Sequence, residues 1–155
     1  MFVSKDFEQY IRLKLNKKQE DSLINEDLDS VTEVSLNGHT LQEGTNDYDF
    51  KDFMKLPNLR YLSFQNFVID NYQTNIINRI KTIKAVQFTD CKIKSKSSLI
   101  GNIEMLSFTS CDKLNSKYFC NLKNLNTLKI NMCGKVDMRF ANDISNVEII
   151  DTKIK

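Results

Sequence analysis

The sequence is poor in the residues from which most enzyme active sites are built. Its one histidine, His39, leaves few general-base schemes open. No G-x-S-x-G, H-E-x-x-H or Rossmann glycine motif occurs in it. Gly134-Lys135 also lacks the glycine that a phosphate-binding loop carries five residues earlier, where Lys129 stands. We therefore expect no catalytic residue, no cofactor and no metal site, and predict that the protein is not an enzyme.

An excess of one charge and long apolar runs are also missing. Lys and Arg number 22 and Asp and Glu number 20, so the formal net charge is +2. This balance creates no strong field for nucleic acid or an anionic membrane. No apolar stretch approaches the length of a membrane span, and the N-terminus lacks the pattern of a signal peptide. We expect neither a nucleic-acid partner nor insertion into a membrane.

What the sequence does contain is a recurring spacing, apolar-x-x-apolar-x-apolar, as in the segment 59–64. It occurs six times, at intervals of 28, 24, 20, 22 and 19 residues, which is typical of a solenoid. At an average hydrophobic content of 41%, about seven of the eighteen positions would be apolar, yet all of them are. Positions one, four and six of the units are Val31, Val34, Leu36; Leu59, Leu62, Phe64; Ile83, Val86, Phe88; Ile103, Leu106, Phe108; Leu125, Leu128, Ile130; and Ile144, Val147, Ile149.

Each unit is predicted to contain one strand and one return segment. Positions four and six alternate with polar neighbours, which indicates a strand with one buried face. Strands joined by return segments must run parallel. Return segments such as 50–56 and 117–122 carry further apolar residues that would close the core. The predicted fold class is α/β, with a parallel sheet wound into a solenoid.

These positions resemble the leucine-rich repeat family, whose units carry leucine-like residues at positions one, four, six and eleven and Asn or Cys at position nine. The resemblance covers residues 31–155 and implies a right-handed solenoid whose curved sheet forms the concave side. Cys91, Cys111 and Cys133 occupy position nine of three consecutive units, which implies buried thiols that satisfy the turning backbone. The other residues at position nine are His39, Phe67 and Thr152; position eleven holds Leu41, Ile69, Ile93 and Ile154, while Leu114 and Val136 come one residue late.

Residues 1–30 precede the repeats and contain an apolar stripe at helical spacing, Phe7, Tyr10, Ile11 and Leu15. This stretch resembles the helical N-terminal cap of internalin-like bacterial leucine-rich repeat proteins. A cap is also needed physically, because a bare first repeat would expose a layer of apolar side chains. A free amphipathic helix for a membrane or partner is the alternative. We expect a cap at 1–30 and about six repeats at 31–155, forming one structural domain.

The face left for function consists of positions three, five and seven, whose side chains point away from the core because side chains alternate across a strand. We call these positions the outer face; in a solenoid they form the concave side. Its residues are small, neutral and polar, with Tyr61 and Met105 as large apolar anchors. An idle, merely solvated face is the alternative. The residues predicted to bind a protein partner are Tyr61, Ser63, Gln65, Gln87, Thr89, Met105, Ser107, Thr109, Lys129 and Asn131.

The stretch 43–52 is the one place where carboxylates cluster, and it lengthens the first interval. It does not match a calcium loop, because Asp52 and Asn58 stand where Gly and Glu are needed when the loop is counted from Asp47. Helix initiation is the better interpretation, with Asp49 capping the segment 50–56 and Asp52 in its first turn. An insertion of this kind can also contact a partner.

Functional class and location follow from the same features. We expect a non-enzymatic protein-binding module in the bacterial cytoplasm, because four cysteines without C-x-x-C spacing favour neither disulfides nor zinc. The alternatives are an adhesion domain excised from an exported surface protein, and an immunity or inhibitor protein that masks a toxin or enzyme. At the C-terminal end, no segment follows to cover the sixth strand. The chain is therefore a fragment, or forms a homodimer through that uncapped edge, or frays there.

Overall fold

The computed structural model describes residues 2–40, 44–45, 48–112, 114–139 and 144–154. Helices and strands alternate along these residues, so the chain belongs to the predicted α/β class. The elements are α1 (Lys5–Lys14), α2 (Asn25–Asp29), β1 (Glu33–Asn37), β2 (His39–Thr40), β3 (Gly44–Thr45), a 3₁₀ helix (Phe50–Lys55), β4 (Tyr61–Gln65), β5 (Val68–Ile69), α3 (Asn71–Arg79), β6 (Ala85–Thr89), β7 (Lys92–Ile93), β8 (Met105–Thr109), a 3₁₀ helix (Ser116–Tyr118), β9 (Thr127–Val136) and β10 (Asn146–Ile154).

One parallel sheet carries the repeat strands. Within the described residues it has six strands in the order β1-β4-β6-β8-β9-β10, so each repeat strand pairs with the next one along the chain. The register keeps equivalent positions side by side: Tyr61 pairs with Ala85, which pairs with Met105, which pairs with Thr127. The parallel strands predicted from the repeat are therefore confirmed. A consequence is that positions three, five and seven form rows that run across the sheet.

The core lies on the other face of this sheet. Fifteen of the eighteen repeat positions are buried, and the exceptions are Ile144, Val147 and Ile149 in the last unit. At position six, phenylalanines stack from strand to strand, with ring centroids 5.7 Å apart for Phe64 and Phe88 and 5.4 Å apart for Phe88 and Phe108. Offset stacking at such distances adds about 0.5–1.5 kcal/mol per pair beyond the burial of apolar area.

Position nine holds the buried thiols that the resemblance implied. The Sγ atom of Cys91 donates to the carbonyl oxygens of Phe64 and Thr89, at 3.4 and 3.2 Å. The Sγ atom of Cys133 accepts from the backbone N–H of Cys111 at 3.4 Å. All four cysteines are described and none forms a disulfide. At this position the sulfur atoms act as weak hydrogen-bonding groups inside the core. Ile69, Leu114 and Val136 of position eleven are also buried, whereas the side chain of His39 and residue Leu41 lie outside the described part.

Each repeat strand is followed by a tight turn at position eight. Five consecutive non-glycine residues there have φ between 46° and 60°, the left-handed region that Asn and Asp enter most easily. In the first unit this position is Gly38, where a Cβ atom would lie 2.5 Å from the carbonyl oxygen of Asn66. The five residues are Asn66, Asp90, Ser110, Met132 and Asp151.

Helix α1 confirms the predicted N-terminal helix. Ser4 begins it by accepting a hydrogen bond from the backbone N–H of Phe7. Phe7 and Ile11 are buried in the common core, and the hydroxyl of Tyr10 accepts the backbone N–H of Ser35 at 2.9 Å. Because Ser35 lies in the edge strand β1, α1 covers the edge of the sheet at which the repeats begin.

The return segment at 50–55 also holds the N-terminal segment in place. It forms a 3₁₀ helix, where the sequence suggested only a helix, and Asp49 caps it by accepting from the backbone N–H of Lys51. The carboxylate of Asp52 is buried and accepts the backbone N–H groups of Val3 and Ser4 at 2.8 Å, with Lys55 Nζ at 2.7 Å. The main role of Asp52 is therefore to bind the chain just before α1, which the prediction of a first-turn charge missed.

The last strand differs from the other five. Its apolar residues remain exposed, with exposed fractions of 41% for Val147, 38% for Ile149 and 48% for Ile154. The expectation that the apolar layer of the sixth strand faces water is confirmed for the described residues.

Candidate functional site

The ten residues predicted to bind a partner come together on one surface. They lie on β4, β6, β8 and β9, which are neighbours in the sheet, and they alternate with buried positions on every strand. The register aligns them in rows, so that Ser63, Gln87, Ser107 and Lys129 follow one another across position five. The described structure therefore brings all ten residues together on the outer face, and their part in binding stays a prediction.

The two apolar anchors differ in how freely they project. The hydroxyl of Tyr61 donates to Gln87 Oε1 at 2.6 Å, so this half-buried ring is held along the sheet. Gln87 Nε2 lies 3.4 Å from the hydroxyl oxygen of Thr89, which extends the contact by one more residue. Met105 has no comparable restraint among the described residues, and 44% of its surface is exposed. A flexible thioether beside a fixed ring suits a surface that adapts to a protein partner.

Charges on this part of the outer face are paired. Lys129 Nζ lies 3.0 Å from a carboxylate oxygen of Glu148 on the next strand, and both side chains are about half exposed. The neighbouring position-five residue on β8 is Ser107, which is neutral. Since the pair is neutral as a whole, this end of the outer face presents hydrogen-bonding groups rather than net charge.

Positions five and seven of the last three strands enclose a shallow cavity of about 120 Å³. One row consists of Ser107, Lys129 and Glu148, and the other consists of Thr109, Asn131 and Ile150. Within the described residues, the Oδ1 atom of Asn131 is buried and has no hydrogen-bond partner. A buried acceptor without a donor costs about 1–3 kcal/mol, which makes this atom unusual in a folded protein.

The equivalent asparagine of the first unit shows what Asn131 lacks. Asn37 also occupies position seven, and its Oδ1 accepts from Asn66 Nδ2 at 2.9 Å. Asn66 is the position-eight residue of the following strand. Asp151 stands at the corresponding place beyond Asn131, and a carboxylate offers no proton to donate. The difference in hydrogen bonding therefore follows from a single residue type at the turn.

Two residues of this cavity, Glu148 and Ile150, were not among the ten predicted. Both occupy outer-face positions, so the repeat register by itself could have included them. The orphaned atom of Asn131 had no signal in the sequence, because the missing donor is recognised only when strand neighbours are known.

The stretch 43–52 offers less to a partner than its carboxylates suggested. Asp49 accepts from the hydroxyl of Tyr72 at 2.7 Å as well as capping its own helix, and this hydrogen bond raises the pKa of Tyr72 to about 12. Asp52 is buried under the N-terminal segment. Both described carboxylates thus serve internal contacts, while residues 43, 46 and 47 lie outside the described part.

Reactive or metal-binding clusters do not appear in the part of the chain that the structure describes. No group of three or more His, Cys, Asp or Glu residues there is arranged to hold a metal ion. Burial raises the pKa of the Cys91 thiol, and the hydrogen bond to Cys133 together with burial raises that of Cys111. These thiols are therefore protonated at neutral pH and poorly nucleophilic. Nor is any described helix long and apolar enough to cross a bilayer.

Comparison with known proteins adds no relative to these observations. No protein-family model matches the chain, and no curated protein matches it.

Proposed function

We propose that the protein is a leucine-rich repeat solenoid of right-handed winding that binds a protein partner through its outer face, without catalysis. The observation that carries the proposal is the row alignment of positions three, five and seven across neighbouring parallel strands. Such rows create a continuous ribbon of side chains that a partner can contact over several units, which is how solenoid proteins bind.

The chemistry of the ribbon supports a protein ligand. Interfaces concentrate their binding energy in a few large side chains surrounded by polar groups that exclude water. Tyr61 and Met105 are the large residues here, and serines, threonines and amides surround them. Nucleic acid would call for exposed Lys and Arg interleaved with aromatics, and the charge pair Lys129–Glu148 is neutral.

The proposal is tested by charging the anchors. A partner isolated with the wild-type protein from its native source would be purified, and its affinity measured for the wild type and for Tyr61→Asp and Met105→Asp. Because hot-spot residues contribute about 2 kcal/mol or more, each change should weaken binding roughly 30-fold. Met54→Asp is the matched control, since Met54 is equally exposed but lies on the 3₁₀ helix away from the outer face.

Circular dichroism and urea unfolding would establish that the variants remain folded. If both outer-face variants bind as tightly as the wild type, or if Met54→Asp weakens binding as much as they do, the outer face is not the binding surface.

A further inference from the structure

We propose that the cavity between β8, β9 and β10 binds a side-chain carboxamide, the head group of Asn or Gln, from the protein partner. The inference rests on the proposed function, because it assigns one specificity pocket to the outer face. The pocket is lined by Ser107, Thr109, Lys129, Asn131, Glu148 and Ile150.

The first argument is the buried acceptor. Asn131 Oδ1 has no donor among the described residues, although it lies in the wall of a cavity that opens on the outer face. Its neighbour in the row on one side is Ile150, which has no polar hydrogen. A ligand that donates a hydrogen bond to this atom removes the cost of leaving it unpaired, so binding is favoured by a term that most of the outer face does not provide.

The second argument is size. Water in the liquid occupies about 30 Å³ per molecule, so a cavity of about 120 Å³ has room for about four non-hydrogen atoms. A carboxamide with its adjoining carbon has four such atoms. A lone hydroxyl group would leave most of the cavity unfilled.

The third argument is the pattern of donors and acceptors. Asn131 Oδ1 needs a donor, whereas the ammonium group of Lys129 and the hydroxyls of Ser107 and Thr109 can donate. A carboxamide matches both needs, because its NH₂ group donates and its oxygen accepts. A carboxylate only accepts and would face Asn131 Oδ1, while a guanidinium only donates and brings a charge into a neutral pair, Lys129–Glu148.

The experiment uses three probes of equal size, each with four non-hydrogen atoms: acetamide, acetate and guanidinium. Each is titrated into the ¹⁵N-labelled full chain at constant ionic strength, and backbone amide shifts are followed by NMR. We expect saturable shifts at residues 107, 109, 131 and 148 with acetamide. Because one mismatched buried hydrogen bond costs about 1–3 kcal/mol, acetate and guanidinium should require at least roughly tenfold higher concentrations.

Two variants identify the atom responsible. Asn131→Leu removes the acceptor with little change in volume and should abolish the saturable shifts. Asp151→Asn restores the donor that Asn66 supplies to Asn37 and should occupy Asn131 Oδ1 from within the chain, weakening acetamide binding. Asn37→Leu is the matched control, because Asn37 occupies the same repeat position outside the cavity, and it should leave the titration unchanged.

The inference is overturned if acetamide causes no saturable shifts in this pocket, or if acetate or guanidinium binds as well. It is also overturned if acetamide binds Asn131→Leu like the wild type; should that variant unfold, undiminished binding to Asp151→Asn decides the matter in the same way. Failure here is separable from failure of the proposed function. Partner binding that still depends on Tyr61 and Met105 would leave the outer-face proposal intact and remove only the pocket.

Discussion

The two edges of the sheet carry the same repeat pattern but meet different surroundings. At the first edge, α1 lies against β1, the Tyr10 hydroxyl accepts the N–H of Ser35, and Val34 and Leu36 are buried. At the last edge, the equivalent residues Val147 and Ile149 of β10 are 41% and 38% exposed. A strand of the same design is thus part of the core at one edge and largely exposed at the other.

The difference teaches that burial in this fold comes from neighbours on both sides of a strand. Each repeat is too thin to hide its own apolar side chains, so a strand becomes buried only when another layer covers it. The first edge obtains this layer from a helix that is not a repeat and that a buried carboxylate, Asp52, holds in place. Three experiments test whether this account of the two edges is right.

The largest effect is expected from a matched pair at position six. Ile130 is buried in β9 and Ile149 lies beside it in β10, so the same change can be made in both surroundings. Ile130→Ala should lower the free energy of unfolding by about 3 kcal/mol, because it leaves a cavity in the core. Ile149→Ala should cost less than about 1 kcal/mol, since an exposed side chain loses little burial.

Urea unfolding of both variants, with unchanged m-values, measures the difference. Equal losses of stability at the two positions would break the comparison, because β10 would then be as well covered in solution as β9.

A smaller effect is expected from removing the carboxylate that holds α1. Asp52→Ala leaves the N–H groups of Val3 and Ser4 and the ammonium of Lys55 without this acceptor, and should destabilise the protein by about 2 kcal/mol. The loss should be concentrated in α1, which would then leave β1 exposed. Hydrogen exchange of the amides of residues 5–14 reports on it directly.

Asp49→Ala is the control for this experiment. Asp49 caps the same 3₁₀ helix but does not contact the N-terminal segment, so its loss should cost about 1 kcal/mol without selective exchange in α1. Unchanged protection of α1 in Asp52→Ala would show that the helix is held by its apolar contacts alone.

The smallest effect concerns access to position nine. Thr152 follows Cys91, Cys111 and Cys133 in this column and is the member that lies in β10. In a Cys120→Ser background, the thiol introduced by Thr152→Cys should react with iodoacetamide at least roughly tenfold faster than the three buried thiols. Mass spectrometry after partial labelling gives the rates. Equally slow labelling at all four positions would mean that the last edge is covered in solution.

Much of the fold could be predicted because the repeat spacing is strong. The alternation at positions four and six predicted parallel strands and fifteen buried residues correctly, and the stripe through Phe7 and Ile11 predicted α1. The ten outer-face residues followed from the same alternation, since side chains on a strand must alternate between faces.

The remaining features depend on contacts between residues far apart in the chain. Asp52 has the appearance of an ordinary first-turn acid until the N–H groups of Val3 and Ser4 lie against it. The hydrogen bond from Tyr61 to Gln87 joins two units, and its geometry depends on the strand register. No local pattern encodes such pairings, because their energy comes from groups that meet only after the chain has folded.

The amino-acid sequence by itself determined which residues point inward and which point outward, because period-two alternation is a property of the strand alone. Tertiary structure alone decided which of the inward residues are buried and which polar atoms find partners. Ile130 and Ile149 have the same repeat position, as do Asn37 and Asn131, yet each pair differs in its surroundings. The physical reason is that burial and hydrogen bonding depend on the neighbouring layer, which a residue's own segment does not contain.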